Sequence, residues 1–220
     1  MTRSSSNRIA GYPTREVVLP IAGRVLTMLV VDELERYVDT AALLRDPAAP
    51  EPPYWAHLWP GSRALAHLAA TEIECVGVRV IEVGCGLGLA GIVAATRGAH
   101  VTLIDTMYAA LCFARANAAR NGCGVNVVQT DVGRPGLRGQ FDCCLAADVT
   151  YDPQLHVALA DFLSEHLEPG GRAWCTESVR TNDRGFRRAC EARGLRVSER
   201  EAREVDEGRP VTVRITHVHR

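Results

Sequence analysis

The feature that most constrains this chain is a strict alternation, from Val78 onward, of short β-branched runs with longer helical stretches. Residues 78–83 read as a strand and 89–97 as a helix. Residues 101–104 and 125–129 read as strands, separated by a helix over 108–121 that Gly122 closes. Residues 141–147 and 173–176 are strands flanking a helix over 155–167, and a helix over 183–192 follows, ending near Gly194. Strands joined by helical crossovers run parallel, so the pattern implies a sheet with helices on both faces. The end of the chain differs. Residues 195–200 and 211–218 are strands with only a charged, Gly/Pro-containing loop between them, which makes them an antiparallel pair. The fold class is α/β, a Rossmann-like, mostly parallel sheet of seven strands.

The segment upstream is organised differently. Residues 1–8 are polar and carry no apolar h-region, so no signal peptide is expected. No apolar run approaches the ~20 residues of a membrane span, and the expected localisation is cytoplasmic. Residues 17–31 hold two apolar runs broken by Ala22-Gly23, which reads as a hairpin. Asp32 and Glu35 have the D-x-x-E spacing of a helix start and predict a short helix to about Leu44. Residues 45–53 (RDPAAPEPP) are too rich in proline for regular structure and read as a linker. The segment YWAHLWPG (54–61) then leads into an Ala/Leu-rich helix to about Ala70, with Pro60 in its first turn. The expected division is an extension over 1–53 and one domain over 54–220.

Composition narrows the partners. The formal net charge is −1 and no basic run stands out, which disfavours a nucleic-acid partner. All 25 basic residues are arginine. The eight cysteines form no C-x-x-C pair and read as small buried hydrophobes, not metal ligands. His217 and His219 share one face of the last strand without an evident third ligand, so no metal site is expected. His57 and His156 are candidate bases at a pocket mouth, with surface placement the favoured reading. A monomer is the default oligomeric state.

The chemistry concentrates in VIEVGCGLGLAG (80–91). Glycines directly after a buried strand let the chain turn tightly and let a ligand approach the backbone. A dinucleotide fingerprint needs G-x-G-x-x-G from the strand end; counted from Gly84, its last position is Leu89. The S-adenosylmethionine (SAM) pattern wants an acid two residues before G-x-G-x-G, which Glu82, Gly84, Gly86 and Gly88 supply, with Cys85 inside the loop. A carboxylate there favours the cationic amino acid end of SAM. Asp105, followed by Thr106, ends the second strand, where an acid accepts from ribose hydroxyls; its other reading is a helix cap before Met107. Asp131 and Val132 follow the third strand and are assigned to the adenine edge. The fourth strand ends in ADVTY (147–151), which puts Asp148 and Tyr151 beyond the strand's carboxyl end, opposite a transferable methyl. They are the candidate catalytic pair, Asp148 orienting a nucleophilic amine and Tyr151 packing against it. Tyr54 and Trp55 are candidate substrate contacts alongside them.

Three segments, WAHLWPGSRALAHL, EVGCGLGLAGIVAATRGAHVTLID and ADVTY, resemble family 16 of the seven-strand (class I) SAM-dependent methyltransferases, over residues 54–176. The last matches that family's D-x-x-Y signature at Asp148 and Tyr151. The family contains many protein lysine methyltransferases, and the 54–56 segment also resembles members acting on the electron-transfer flavoprotein β subunit and small-molecule N-methyltransferases. The resemblance implies strand order 3-2-1-4-5-7-6 with the last strand antiparallel, SAM as cofactor, Trp59 lining its pocket and Ala147 touching it from the strand end. Relatives often carry tryptophan beside the adenine where this chain has Val132, which implies a smaller apolar wall. The expected activity is direct in-line N-methylation, of protein lysine or alternatively of a small molecule in a biosynthetic pathway. A non-enzymatic SAM- or nucleotide-binding module and a nicotinamide-dinucleotide oxidoreductase are the competing classes.

Overall fold

The computed structural model describes residues 7–38, 52–179 and 184–220. Three strands come first: β1 (Arg8–Ile9), β2 (Tyr12–Ile21) and β3 (Arg24–Val31), an antiparallel sheet in that order. Helix α1 (Pro60–Thr71) follows, then β4 (Arg79–Val83), α2 (Leu89–Thr96), β5 (His100–Asp105), α3 (Tyr108–Arg120), β6 (Asn126–Gln129) and β7 (Phe141–Ala147). Helix α4 (Pro153–His166) runs directly into β8 (Leu167–Ser178), and α5 (Gly185–Glu191), β9 (Arg196–Asp206) and β10 (Arg209–His219) complete the described chain. The main sheet has the order β6-β5-β4-β7-β8-β10-β9. Its first five strands are parallel and β10 is antiparallel to both neighbours. This is the 3-2-1-4-5-7-6 arrangement that the sequence pattern and its family resemblance imply.

Successive strand residues point to opposite faces, so a doubly covered sheet divides its apolar side chains between two cores. Val80, Leu103 and Leu145 join α1, α2 and α3 in one core. Their immediate neighbours Ile81, Ile104 and Ala146 join α4 and α5 in the other. Ile21, Leu26, Met28 and Val30 of the N-terminal sheet belong to the first core, packed beside Phe113 of α3.

Each antiparallel hairpin turns on two residues ending in glycine: Ala10-Gly11, Ala22-Gly23 and Glu207-Gly208, all six with positive φ. That is the backbone a two-residue type I′ turn needs, matching the twist of the flanking strands. The Ala22-Gly23 hairpin is where the sequence predicts it. The Glu207-Gly208 hairpin corrects the sequence reading: the charged stretch after Arg200 is strand, and β9 runs on to Asp206 paired with β10 along its whole length. Alternating charges there hide a two-sided edge strand behind the composition of a loop.

Another correction falls after β3. The predicted helix from Asp32 appears only as a 3-10 turn over Leu34–Tyr37, preceded by Glu33 in the left-handed region, with no side-chain cap. Asp32 instead faces Arg15 at 3.7 Å. The remainder of that predicted helix, most of the proline-rich linker and Asp183 lie outside the described residues. No helix among the described residues is long and apolar enough to cross a membrane.

Candidate active site

A cavity of about 440 Å³ opens at the carboxyl ends of β4, β5 and β7, the place where open α/β sheets accept ligands. Its floor is the glycine loop. Gly84, Gly86 and Gly88 have φ of 60°, 51° and 79°, and Gly88 precedes α2. Their freedom is used twice. A Cβ on Gly84 would lie 2.5 Å from Val149 Cγ1, and one on Gly86 would lie 2.8 Å from the Trp55 carbonyl oxygen. The loop therefore turns left-handed in a space that admits only hydrogen.

Two buried acids brace it. Glu82 Oε2 accepts from the Gly91 amide at 2.8 Å, so the carboxyl satisfies an open N–H in the first turn of α2. Burial pushes Glu82 up to about 8, and the nearby Asp105 charge adds to the effect. Asp105 Oδ2 accepts from the Gly86 amide at 2.9 Å, and Oδ1 from the Met107 amide at 2.8 Å. The cap reading of Asp105 is thus realised. Each carboxylate oxygen has a second acceptor site, so the ribose reading is compatible with it. Burial raises Asp105 above its ordinary range, and these amides oppose that.

On the acceptor side, Asp148 directly follows β7 with φ of 50°, a conformation Asp tolerates better than most residues. Its Oδ1 accepts from the Ser178 amide at 3.0 Å and hydroxyl at 3.3 Å. Its Oδ2 is buried without a hydrogen-bond partner, against the first turn of α1, where the Ser62 and Gly61 amides lie near enough to lower its pKa without completing a bond. Desolvation is the larger influence and raises it. The loop that follows is pinned by Thr150, whose hydroxyl donates to Glu177 Oε2 at 2.7 Å, while Arg214 donates to Glu177 Oε1 at 2.8 Å. This leaves Tyr151 65% exposed at the cavity mouth.

Aromatic rings form the remaining wall. Tyr54–Ala56 is a short 3-10 turn, and Trp59 Nε1 donates to the Tyr54 carbonyl at 2.8 Å. Tyr12 meets Trp55 edge-on with centroids 5.4 Å apart, and Trp55 in turn meets Phe113 at 5.3 Å. His57 packs on Trp59 at 4.5 Å and lines the mouth.

The structure brings together most of the sequence-predicted set. Tyr54, Trp55, Trp59, Glu82, Gly84, Cys85, Gly86, Asp105, Thr106, Ala147, Asp148 and Tyr151 all line the cavity. Gly88 lies beneath it, capping α2. Asp131 and Val132 do not join the lining. Asp131 Oδ1 accepts from the Gly133 amide at 2.7 Å, a local turn, and Val132 packs toward the second core. Met107, exposed at the end of β5, stands on the cavity wall instead. His156 corrects the surface reading: it is buried, with Nε2 2.7 Å from the Thr150 carbonyl oxygen. His217 stacks on Trp174 at 3.8 Å, with Nδ1 3.1 Å from His219 Nε2. Sequence reasoning missed Tyr12 and Ser178, which arrive from distant strands with no local motif to mark them, and Ser62 and Val149, which lie inside WAHLWPGSRALAHL and ADVTY but carry no chemistry of their own to single them out.

The donor set suits SAM. Glu82, Asp105 and Asp148 line the cavity and, among the described residues, no arginine does, in a chain whose 25 basic residues are all arginine. A cradle of left-handed glycines and buried acids fits a cationic, ribose-bearing molecule, and the described lining gives a pyrophosphate no arginine to pair with.

Residues 80–171 match the family described as a methyltransferase domain. The strand order and the glycine loop around this match are those of the class I, Rossmann-like methyltransferase fold. Among curated relatives, the chain is 32% identical over 124 residues to the electron transfer flavoprotein beta subunit lysine methyltransferase of Xenopus laevis, covering 54% of this chain and 49% of that protein. It is 36% identical over 109 residues to the ribosomal protein L11 methyltransferase of Wolinella succinogenes, covering 49% of this chain and 37% of that protein. The chain thus spans less than half the length of either relative. Among solved structures, magnesium protoporphyrin IX methyltransferase from Synechocystis PCC 6803 with bound SAM matches at a TM-score of 0.59 and 18% identity, over 72% of this chain and 77% of that one.

Proposed function

We propose that this protein transfers a methyl group from SAM to an amine nitrogen, the lysine side chain of a protein substrate, as a member of family 16 of the class I enzymes. One observation carries the reading: a cavity walled by three acidic side chains and aromatic rings, with no arginine among the described residues that line it, at the carboxyl ends of β4, β5 and β7. Such a cavity favours a cationic donor and an amine acceptor over phosphate-bearing or acidic molecules. Similarity to two protein methyltransferases supports a protein acceptor. Bound in this cavity, SAM supplies a methyl group already activated on a sulfonium.

The protein's own residues then have three tasks. Glu82, Asp105 and the glycine loop hold the donor. Tyr54, Trp55, Trp59 and Tyr151 surround the approach of the acceptor and exclude water from it. The acceptor must arrive neutral, and a lysine amine has an ordinary pKa near ~10.4. Desolvation between the rings lowers it, whereas the Asp148 carboxylate favours the charged form. Asp148, held by Ser178, therefore acts by positioning the amine and not by removing its proton. Alignment of this kind can account for a large part of a rate enhancement.

A second reading, transfer to a small molecule, is favoured by Tyr12 and Pro53, which wall the cavity from the N-terminal side. Incubating the protein with radiolabelled SAM and a lysate of its source organism separates the two. Label on a protein band, sensitive to Asp148→Asn, is expected. Label confined to the small-molecule fraction would replace the first reading with the second.

A further inference from the structure

Asn117, in the middle of α3, is fully buried and uses its entire side-chain amide. Its Oδ1 accepts from the Leu29 amide at 2.6 Å, and its Nδ2 donates to the Leu29 carbonyl at 3.2 Å and to the Leu87 carbonyl at 3.2 Å. One turn later, Asn121 Oδ1 accepts from the Thr27 amide at 3.0 Å and Nδ2 donates to the Thr27 carbonyl at 2.9 Å. Four helical residues rise ~6 Å and two strand residues ~6.8 Å, so the two asparagines follow the free edge of β3 as a neighbouring strand would. The hairpin is docked onto α3 by side chains that imitate a sheet.

The two amides differ in one respect. Asn121 reaches the hairpin, its own helix and the Met28 sulfur, whereas Asn117 continues to Leu87, between Gly86 and Gly88 of the glycine loop. The hairpin also reaches that loop from its other strand, because Tyr12 of β2 packs on Trp55, whose carbonyl lies over Gly86. We propose that Asn117 is a positioning residue for the donor site: it locks the glycine loop to the N-terminal hairpin, so that donor binding and hairpin docking are coupled. This rests on the reading of the loop as a SAM site.

The test pairs Asn117→Asp with Asn121→Asp, using S-adenosylhomocysteine as the probe. Each change keeps the side chain's shape and its acceptor and removes its donors, but only the first touches the loop. Both variants are expected to melt earlier than the parent protein. Asn117→Asp is expected to weaken S-adenosylhomocysteine by more than about tenfold, and Asn121→Asp by less than about threefold. Equal effects of the two substitutions on affinity, or none from either, would overturn the proposal. Hydrogen exchange on the unsubstituted protein provides an arm that does not depend on a variant folding. Saturating S-adenosylhomocysteine is expected to slow exchange of the Leu29 amide; slowing at Leu103 in the core with no change at Leu29 would refute the coupling. Failure of the unsubstituted protein to bind S-adenosylhomocysteine would instead refute the donor-site reading, and the coupling with it.

Discussion

Asp148 lies directly over Gly61: a methyl group built on Gly61 would sit 2.7 Å from the Asp148 carboxyl carbon. The acid at the end of β7 and the first turn of α1 therefore share one small volume, and Ser178 fixes the acid in it from the other side. Gly61→Ala should raise helix propensity by as much as ~1 kcal/mol while pushing the carboxylate out of place. The expected result is a small change in melting temperature with a fall in kcat on the order of 10²-fold. A fully active Gly61→Ala protein would show that the position of Asp148 is unimportant.

Asp148→Asn tests the charge separately, because asparagine also tolerates the left-handed backbone found there. S-adenosylhomocysteine affinity should be retained and single-turnover methyl transfer should slow. Unchanged transfer rates would end the positioning role.

Gly86→Ala places a Cβ at φ 51° and 2.8 Å from the Trp55 carbonyl oxygen. The left-handed backbone alone costs ~1–2 kcal/mol for a non-glycine residue, and displacing the carbonyl adds to that. Lower stability and weaker S-adenosylhomocysteine binding are expected together, by denaturant titration and calorimetry. Wild-type values of both would contradict the packing described.

Glu82 is held at about 8 in the fold against an ordinary value of 4.5. Between these values the folded protein keeps a proton that the unfolded chain has released, so this contribution falls as pH rises. It is complete below 4.5 and gone above about 8. Glu82→Gln should flatten that part of the stability profile, measured by urea titration from pH 5 to 8. An identical slope in the variant would locate the proton elsewhere.

His217 has the opposite sign. Burial, with His219 and neighbouring arginines adding to it, holds its pKa at about 4 against an ordinary 6.5. The unfolded chain takes up a proton in that window and the folded one does not, so stability is lost as pH falls from 6.5 toward 4. His217→Phe keeps a ring on Trp174 and should remove this acid sensitivity. The two slopes partly cancel where they overlap, so each is read from the difference between variant and parent.

The alternation of strand and helix after Val78, the register of the glycines from Gly84 and the acid at each strand end were legible because local periodicity and turn chemistry express them directly. β7 and the Ala22-Gly23 turn fall where the periodicity places them. What was illegible depends on distant partners. The charges of β9 look like a loop until β10 pairs with them, and Asp32 has the spacing of a helix cap but faces Arg15. Asp131 and Val132 follow the third strand as an adenine-binding pair would; a local turn closed on Gly133 holds Asp131, and neither residue is in the cavity lining.

The sequence by itself determined the class of sheet, the left-handed glycine loop and the placement of Asp148 and Tyr151 after β7, since each is a short-range pattern. The tertiary structure alone decided what those residues touch. It placed Glu82 on the first turn of α2, brought Ser178 and Gly61 around Asp148, and tied the N-terminal hairpin to the loop through Asn117. Those contacts join residues 9 to 88 positions apart, and only the packing of helices on the sheet brings them together.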